Sequence, residues 1–317
     1  MQAPSSLQDW IGRSQERADL IDASQVWRIA HSLRDGDALL ADDEIAQLPP
    51  LWHWCFFHDP APLSRTGDDG HPLRGDFLPP ISLPRRMWAG GRLRFLSPIP
   101  VGAKVTLRSE ITGVTEKRGA SGELVFVTLT HRYSIAEETG CEPGTKEGLR
   151  EAIVEEQDLV FRAAAAANRN DAALSEPRNK PPREPLRAEE ACVLARDIEP
   201  STIALFRYSA LTFNSHRIHY DRDYAQQQEG YPGLVVHGPL LATQLVEFAQ
   251  ERCVARGARL DSFEFRALSP VTDTAGYRLC AGGMGDDGTL ALWVETAEGV
   301  LAMSAKAHFA QLGTSGR

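Results

Sequence analysis

With 317 residues, 42% of them hydrophobic and 24% charged, the chain can hold one large domain or two ordinary ones around a sizeable core. Its formal net charge of −9 argues against a general nucleic-acid binder, which needs a basic surface to neutralise phosphates. Five scattered cysteines (Cys55, Cys141, Cys192, Cys253 and Cys280), with no Cys-x-x-Cys pair, speak against a disulfide framework or a zinc site and fit a reducing compartment. The N-terminus has no basic region followed by an apolar run. No stretch reaches the roughly 18 apolar residues that span a bilayer, so a cytoplasmic protein with no membrane partner is expected.

In chain order, residues 26–32 read as an amphipathic helix in which Arg28 and His31 are structural. Arg92-Leu-Arg-Phe-Leu-Ser-Pro-Ile-Pro-Val101 alternates apolar and charged residues and then turns at proline, as a strand leaving its sheet does. Lys104–Val114 and Glu123–Tyr133 alternate in the same way, are rich in β-branched residues, and flank a turn at 119–122. The alanine run Ala163–Ala167 reads as the end of a helix that begins near Leu149. From 163 to 185 the chain has an alanine run, then polar residues and Pro177, Pro181, Pro182 and Pro185, with almost nothing apolar to bury. This linker divides a first domain, 1–162, from a second, 186–317.

In the second domain Pro239–Arg256 is the clearest helix. Gly238 precedes a proline suited to the first helical position, Leu240, Leu241, Leu245 and Phe248 recur at helical spacing, and Gly257 ends it. Phe263-Glu-Phe-Arg-Ala-Leu-Ser-Pro-Val271 then repeats the 92–101 pattern. Strands come next at Tyr277–Gly282, Leu290–Glu295 and Leu301–Phe309. Two copies, one on each side of the linker, predict two related α+β domains, each an antiparallel sheet wrapped around a helix.

Residues capable of chemistry are densest between Arg207 and Gly238, where three of the nine histidines lie: His216, His219 and His237. Leu234-Val-Val runs into His237-Gly238 and the helix start. Free N–H groups and the positive dipole end there suit an oxygen that gains negative charge, while a well-capped structural helix would look the same. Asn214, His216 and His219 fall within six residues of aperiodic chain, and His219 can exchange a proton near neutral pH. His216 and His219 have metal-like spacing, but Arg217 between them repels a cation and no Asp, Glu or Cys sits at a supporting spacing, so no metal is expected. Asp221, followed by a helical turn, reads as an N-cap rather than a base. Arg207 could pair with a carboxylate or with a ligand phosphate.

The string Thr212-Phe-Asn-Ser-His-Arg-Ile-His-Tyr-Asp221, followed by Gly230-Tyr-Pro-Gly-Leu-Val-Val-His-Gly-Pro239, resembles the MaoC-like hydratase/dehydratase family. The likeness is to its branch of mesaconyl-CoA and itaconyl-CoA hydratases and type 2 3-hydroxyacyl-thioester dehydratases. Gly75–Pro80, Arg85–Gly91 and the Leu-Ser-Pro unit carry the resemblance into the first half. It implies a double hot-dog fold and reversible hydration of a 2-enoyl-CoA thioester, with His219 catalytic, Gly238 polarising the thioester and coenzyme A present only as part of the substrate. The common family motif has an aspartate five residues before the histidine, and here that position is Asn214, which can orient water but cannot take its proton. The remaining binding positions expected are His216, His237, Arg85, Arg86 and Trp88, the two arginines toward phosphates or a substrate carboxylate. The first domain lacks the Asn-x-His-x-x-His element and is expected to be non-catalytic and to widen the acyl pocket. A homodimer is compatible with such a chain. A hot-dog thioesterase and a non-catalytic acyl-CoA binder are the competing readings.

Overall fold

The alternating segments of the sequence join one continuous sheet in the computed structural model, which describes residues 6–33, 45–119, 122–137, 148–163, 185–253 and 257–311. The first half supplies β1 (Ser14–Leu20), α1 (Ala23–Leu33), β2 (Arg85–Phe95), β3 (Lys104–Gly119), β4 (Gly122–Glu137) and β5 (Gly148–Arg162). The second supplies β6 (Leu194–Ile198), α2 (Thr202–Leu211), α3 (Arg222–Gln227), α4 (Gly238–Cys253), β7 (Ala258–Ala267), β8 (Tyr277–Met284), β9 (Thr289–Thr296) and β10 (Leu301–Gln311). The strand order is β1-β3-β4-β5-β2-β7-β10-β9-β8-β6, and every pairing is antiparallel. Read outward from the β2–β7 junction, the two halves repeat one another strand for strand, which is a double hot-dog.

The sequence repeat is the junction itself. Gly91 pairs with Phe265, Arg92 with Glu264 and Leu93 with Phe263. Aligning the two copies makes Gly91 equivalent to Phe263 and Leu93 equivalent to Phe265, so the pairing is self-complementary, as across a two-fold axis. The Leu-Ser step does the same work in each copy. Leu96 and Ser97 N–H both donate to Ala152 O, and Leu268 and Ser269 N–H both donate to Ala302 O.

The helix expected from Leu149 is instead β5. Ala152, Ile153, Leu159 and Phe161 are buried, and Ile153, Glu155, Gln157, Leu159 and Phe161 fall two apart, so the period is that of a strand. The linker at 163–185 lies outside the described residues except for its ends. So does Cys141, while Cys55, Cys192 and Cys280 are free thiols.

The helix Gly238–Cys253 buries Leu240, Leu241, Leu245, Val246, Phe248 and Ala249. The two halves differ here. Leu48 N–H donates to Ile99 O, just as Val236 N–H donates to Val271 O, so Pro49-Pro50 stands where the second half has His237-Gly238. After these prolines the first half forms a single 3-10 turn, Trp52–Cys55, with Trp52 fully buried. No described helix is long and apolar enough to cross a membrane.

At the junction a Cβ on Gly90 would lie 2.4 Å from Phe265 O, a backbone atom held in the sheet. Gly90→Val should therefore lower stability by roughly 1–3 kcal/mol, read as a lower denaturation midpoint; an unchanged midpoint would show that the junction is not tightly packed.

Candidate active site

The site is built on the end of α2. Ser201 caps the helix start by accepting from Ala204 N–H. At the other end Thr212 Oγ1 donates to Tyr208 O, Phe213 turns left-handed at φ 50°, and Asn214 N–H returns to Ser209 O at 2.8 Å. Asn214 Oδ1 then accepts from His216 N–H at 3.1 Å, a local turn that Asn forms readily. Asp221 behaves as the sequence predicts: its Oδ1 accepts from Tyr224 N–H, while Oδ2 takes Nε and Nη2 of Arg217.

Val235 ties this loop to the start of α4. Its N–H donates to Ile218 O, and its carbonyl lies 2.8 Å from His219 Nδ1. A carbonyl can only accept, so Nδ1 carries the proton and Nε2 keeps its lone pair. The His219 ring stacks on His237 with centroids 3.7 Å apart and planes 16° apart. His237 is fully buried, bonded through Nε2 to Ser209 Oγ at 2.8 Å, and immediately precedes Gly238. Thus the imidazole of His219 lies one stacked ring away from the residue that opens α4, whose first N–H groups have no partner within the helix.

A loop of the first half completes the cluster. His71 Nδ1 donates to Asp69 Oδ2 at 2.9 Å, and His71 N–H donates to Asp69 Oδ1. Arg217 N–H donates to Asp69 O, and Ser215 Oγ donates to Gly70 O. Gly70 has φ +90°, and a Cβ there would sit 1.9 Å from Ser215 O, so only glycine lets the two loops meet. The rings of His71 and His216 are 4.3 Å apart, and those of His216 and His219 are 5.5 Å apart.

Burial dominates the electrostatics. It pushes His219 down to about 3, against the hydrogen bond to Val235, with His216 adding to the fall. His216 is likewise lowered to about 3 by burial and by His71, and His237 falls well below the ordinary histidine value. His71 drops to about 4 through burial and the charge of Arg86, opposed by Asp69. For Asp69 itself burial works upward, but the hydrogen bonds and charge of His71 outweigh it and hold the carboxyl well below its usual range. At neutral pH the cluster is therefore four neutral imidazoles, a carboxylate, and the guanidinium of Arg86, lowered only to about 10 by burial.

Asp69, His71 and His216 place three atoms of metal-ligand type within 4.8 Å of one another. The supporting carboxylate that local spacing did not offer thus comes from the other half of the chain. Arg86, whose charge bears on both imidazoles, opposes a cation there, and the arrangement is that of an acid–base cluster.

Of the residues singled out in the sequence, Asn214, His216, His219, His237, Gly238 and Arg86 converge. Trp88 lies in the wall of a cavity of about 240 Å³ that Asn214, Thr212 and Pro239 also line. Arg85 is turned away and neutralised by Glu229 at 2.7 Å. Arg207 is exposed and donates to the His31 carbonyl at the end of α1. Asp69 and His71 went unread, although Gly67-Asp-Asp-Gly-His-Pro72 is a turn carrying two chemically able side chains.

Comparison with known proteins is consistent along the chain. The family model for hydroxyacyl-thioester dehydratase type 2 matches residues 51–273. A mesaconyl-C(4)-CoA hydratase of Chloroflexus aurantiacus is 40% identical over 296 residues, covering 93% of this chain and 95% of that protein. A mitochondrial hydroxyacyl-thioester dehydratase type 2 of Schizosaccharomyces pombe is 29% identical over 260 residues, covering 80% and 82%. The crystal structure of a MaoC-like dehydratase from Phytophthora capsici superposes with a TM-score of 0.64 at 14% identity, over 96% of this chain and 99% of that one, a likeness of fold.

The depressed basicities predict that the ring resonances of His71, His216, His219 and His237 keep neutral-imidazole shifts from pH 8 down to pH 5 in an NMR titration. Protonation of any of them near the ordinary histidine value of about 6.5 would contradict this electrostatic picture.

Proposed function

Because the chain belongs to the hydroxyacyl-thioester dehydratase type 2 family, we propose that it catalyses the reversible addition of water to a 2-enoyl-CoA thioester, giving the 3-hydroxyacyl-CoA. The observation that carries this reading is the Nδ1 hydrogen bond from His219 to Val235 O, which leaves Nε2 as a free base beside the start of α4.

In the hydration direction His219 Nε2 takes a proton from water as the water oxygen bonds to the β-carbon. The electron pair of the double bond moves onto the α-carbon and the thioester oxygen. That oxygen is held by the N–H of Gly238, where the helix dipole favours negative charge. The imidazolium then returns its proton to the α-carbon, and the enzyme is restored. Asn214 cannot act as the family's aspartate does; its amide positions the water. Asp69 is the carboxylate of the cluster: its charge raises the basicity of His71 and His216, and the ring of His216 lies 5.5 Å from that of His219.

The first half has no equivalent oxyanion donor, because Pro50 stands where Gly238 does and carries no N–H. Its contribution is the Asp69–His71 loop and the wall of the acyl cavity. The acyl groups that suit this reading are short dicarboxylic ones such as mesaconyl and itaconyl. The free thiols of Cys55, Cys192 and Cys280 favour a reducing cytoplasm as the place of action.

His219→Gln, which removes the base but keeps a polar side chain of similar reach, should lower kcat by roughly 10²–10⁴-fold, followed by loss of conjugated-enoyl absorbance. Near-full hydration by a folded variant would refute the assignment, and release of free thiol from acyl-CoA by the wild-type protein would indicate a thioesterase. The pH profile of kcat/KM should stay level between pH 8 and pH 5, because a base lowered to about 3 is already deprotonated throughout that range.

A further inference from the structure

The four imidazoles of the site differ in what their nitrogens are left to do. His237 is closed off: Nε2 meets Ser209 Oγ, and Nδ1 is buried. His71 Nδ1 is spent on Asp69 Oδ2, and His219 Nδ1 on Val235 O. The side chain of His216 makes no hydrogen bond among the described residues; it is the backbone N–H of this residue that donates to Asn214 Oδ1. Neither ring nitrogen of His216 is among the buried polar atoms left without a partner, and nor is His219 Nε2, so all three are open to solvent.

The space between His216 and His219 suits one water. Their rings meet edge to face at 89°, with centroids 5.5 Å apart and no direct hydrogen bond. Two ordinary hydrogen bonds that meet at a water span roughly 4.5–5 Å between their outer atoms. Asn214 offers a third contact. With Oδ1 taken by His216 N–H, its NH2 group has no partner among the described residues, and the side chain lines the acyl cavity. A water bonded to these three groups donates to His216 and His219, accepts from Asn214, and keeps one lone pair for carbon. A loop of the first half holds His216 in place. The His71 ring lies against it with centroids 4.3 Å apart, and Asp69 fixes His71 by two hydrogen bonds. Arg217 N–H, the next along the chain, donates to Asp69 O. Burial, His71 and Arg86 keep the His216 ring neutral, against the charge of Asp69, so it retains a lone pair to accept with.

We infer that His216 is a further catalytic residue: one of its ring nitrogens accepts a hydrogen of the attacking water while His219 Nε2 accepts the other, and Asp69 and His71 are positioning residues that hold His216 there. The inference rests on the hydratase reading above. It supplies the second acceptor that is lost where Asn214 stands in place of the family's aspartate. In hydration the free lone pair of the water forms the bond to the β-carbon as the double-bond pair moves to the α-carbon. His219 takes one proton and returns it to the α-carbon. The other hydrogen never leaves the oxygen; it becomes the hydrogen of the product's 3-hydroxyl, still bonded to His216.

The test measures kcat and KM separately, with whichever of mesaconyl-C(4)-CoA and 2-butenoyl-CoA the wild-type protein hydrates faster, and a denaturation midpoint for every variant. His216→Leu should lower kcat roughly 10²-fold, the cost of misplacing a reacting atom by about 1 Å. KM should stay within about threefold, because the lost contact is to water and not to the thioester. His216→Asn and His216→Gln set an amide oxygen near one or the other ring nitrogen, and one of the two should recover kcat at least about tenfold over His216→Leu. Asp69→Asn should lower kcat roughly tenfold by itself but less than about twofold when added to His216→Leu, since it acts through that ring. A folded His216→Leu with near-wild-type kcat, or with a loss confined to KM, overturns the inference. If His216→Leu does not fold, folded amide variants that both keep near-wild-type KM and lose more than about 10²-fold in kcat overturn it. Equal losses from Asp69→Asn in both backgrounds overturn the positioning role. These results leave the hydratase reading standing, whereas no hydration of either thioester by the wild-type protein sinks that reading and this inference with it.

Discussion

The hydrogen bond from His219 Nδ1 to the Val235 carbonyl, 2.8 Å long, is the contact on which the rest of the site depends. It decides which ring nitrogen is the base. It also fastens the loop after α2 to the short extended segment before α4, so that base and helix start are positioned by one residue. Val235 N–H reinforces the join by donating to Ile218 O, and Val236 N–H anchors the same segment to Val271 O. Because Val271 lies just beyond the central strand β7, the site is referenced directly to the sheet junction.

The duplication explains why the molecule has one such site and not two. Both halves carry the same strand order and the same Leu-Ser anchoring step. They part company at one place, where the second half runs Val236-His-Gly-Pro and the first runs Leu48-Pro-Pro-Leu. Two prolines remove two backbone donors, and the long helix is replaced by the turn that buries Trp52. Freed from that role, the first half contributes side chains to the other half's site: Asp69 and His71 through a loop docked at Gly70, and Arg86 from β2.

Much of the fold was legible in the sequence because its cues are local. The repeat, the proline-rich divide and the apolar spacing of α4 each sit within one short window. The segment 148–162 misled because an alanine run beside it suggests helix, while its own alternation is interrupted by the polar inward pair Glu155 and Gln157. The cluster Asn214–His219 and His237-Gly238 was legible for the same reason of proximity in sequence. Asp69 and His71 were not, since they lie about 145 residues away and meet the cluster only through the close approach of Gly70 to Ser215. The buried row Ser109, His131, Glu155 and Gln157 was invisible for another reason: it is spread over three strands, and register alone makes it a group. Arg85 and Arg86 could not be told apart until the strand assigned them opposite faces.

The central claim is that the acyl group binds between His219 Nε2 and the N–H of Gly238. The most direct measurement is a crystal structure with a non-hydratable enoyl-CoA analogue. The account predicts the β-carbon, or the water bound to it, within hydrogen-bond reach of His219 Nε2, about 3 Å, and the thioester oxygen facing the start of α4. An analogue bound with its thioester away from that helix end, or with Nε2 of His219 bonded to protein and closed to it, would contradict the account.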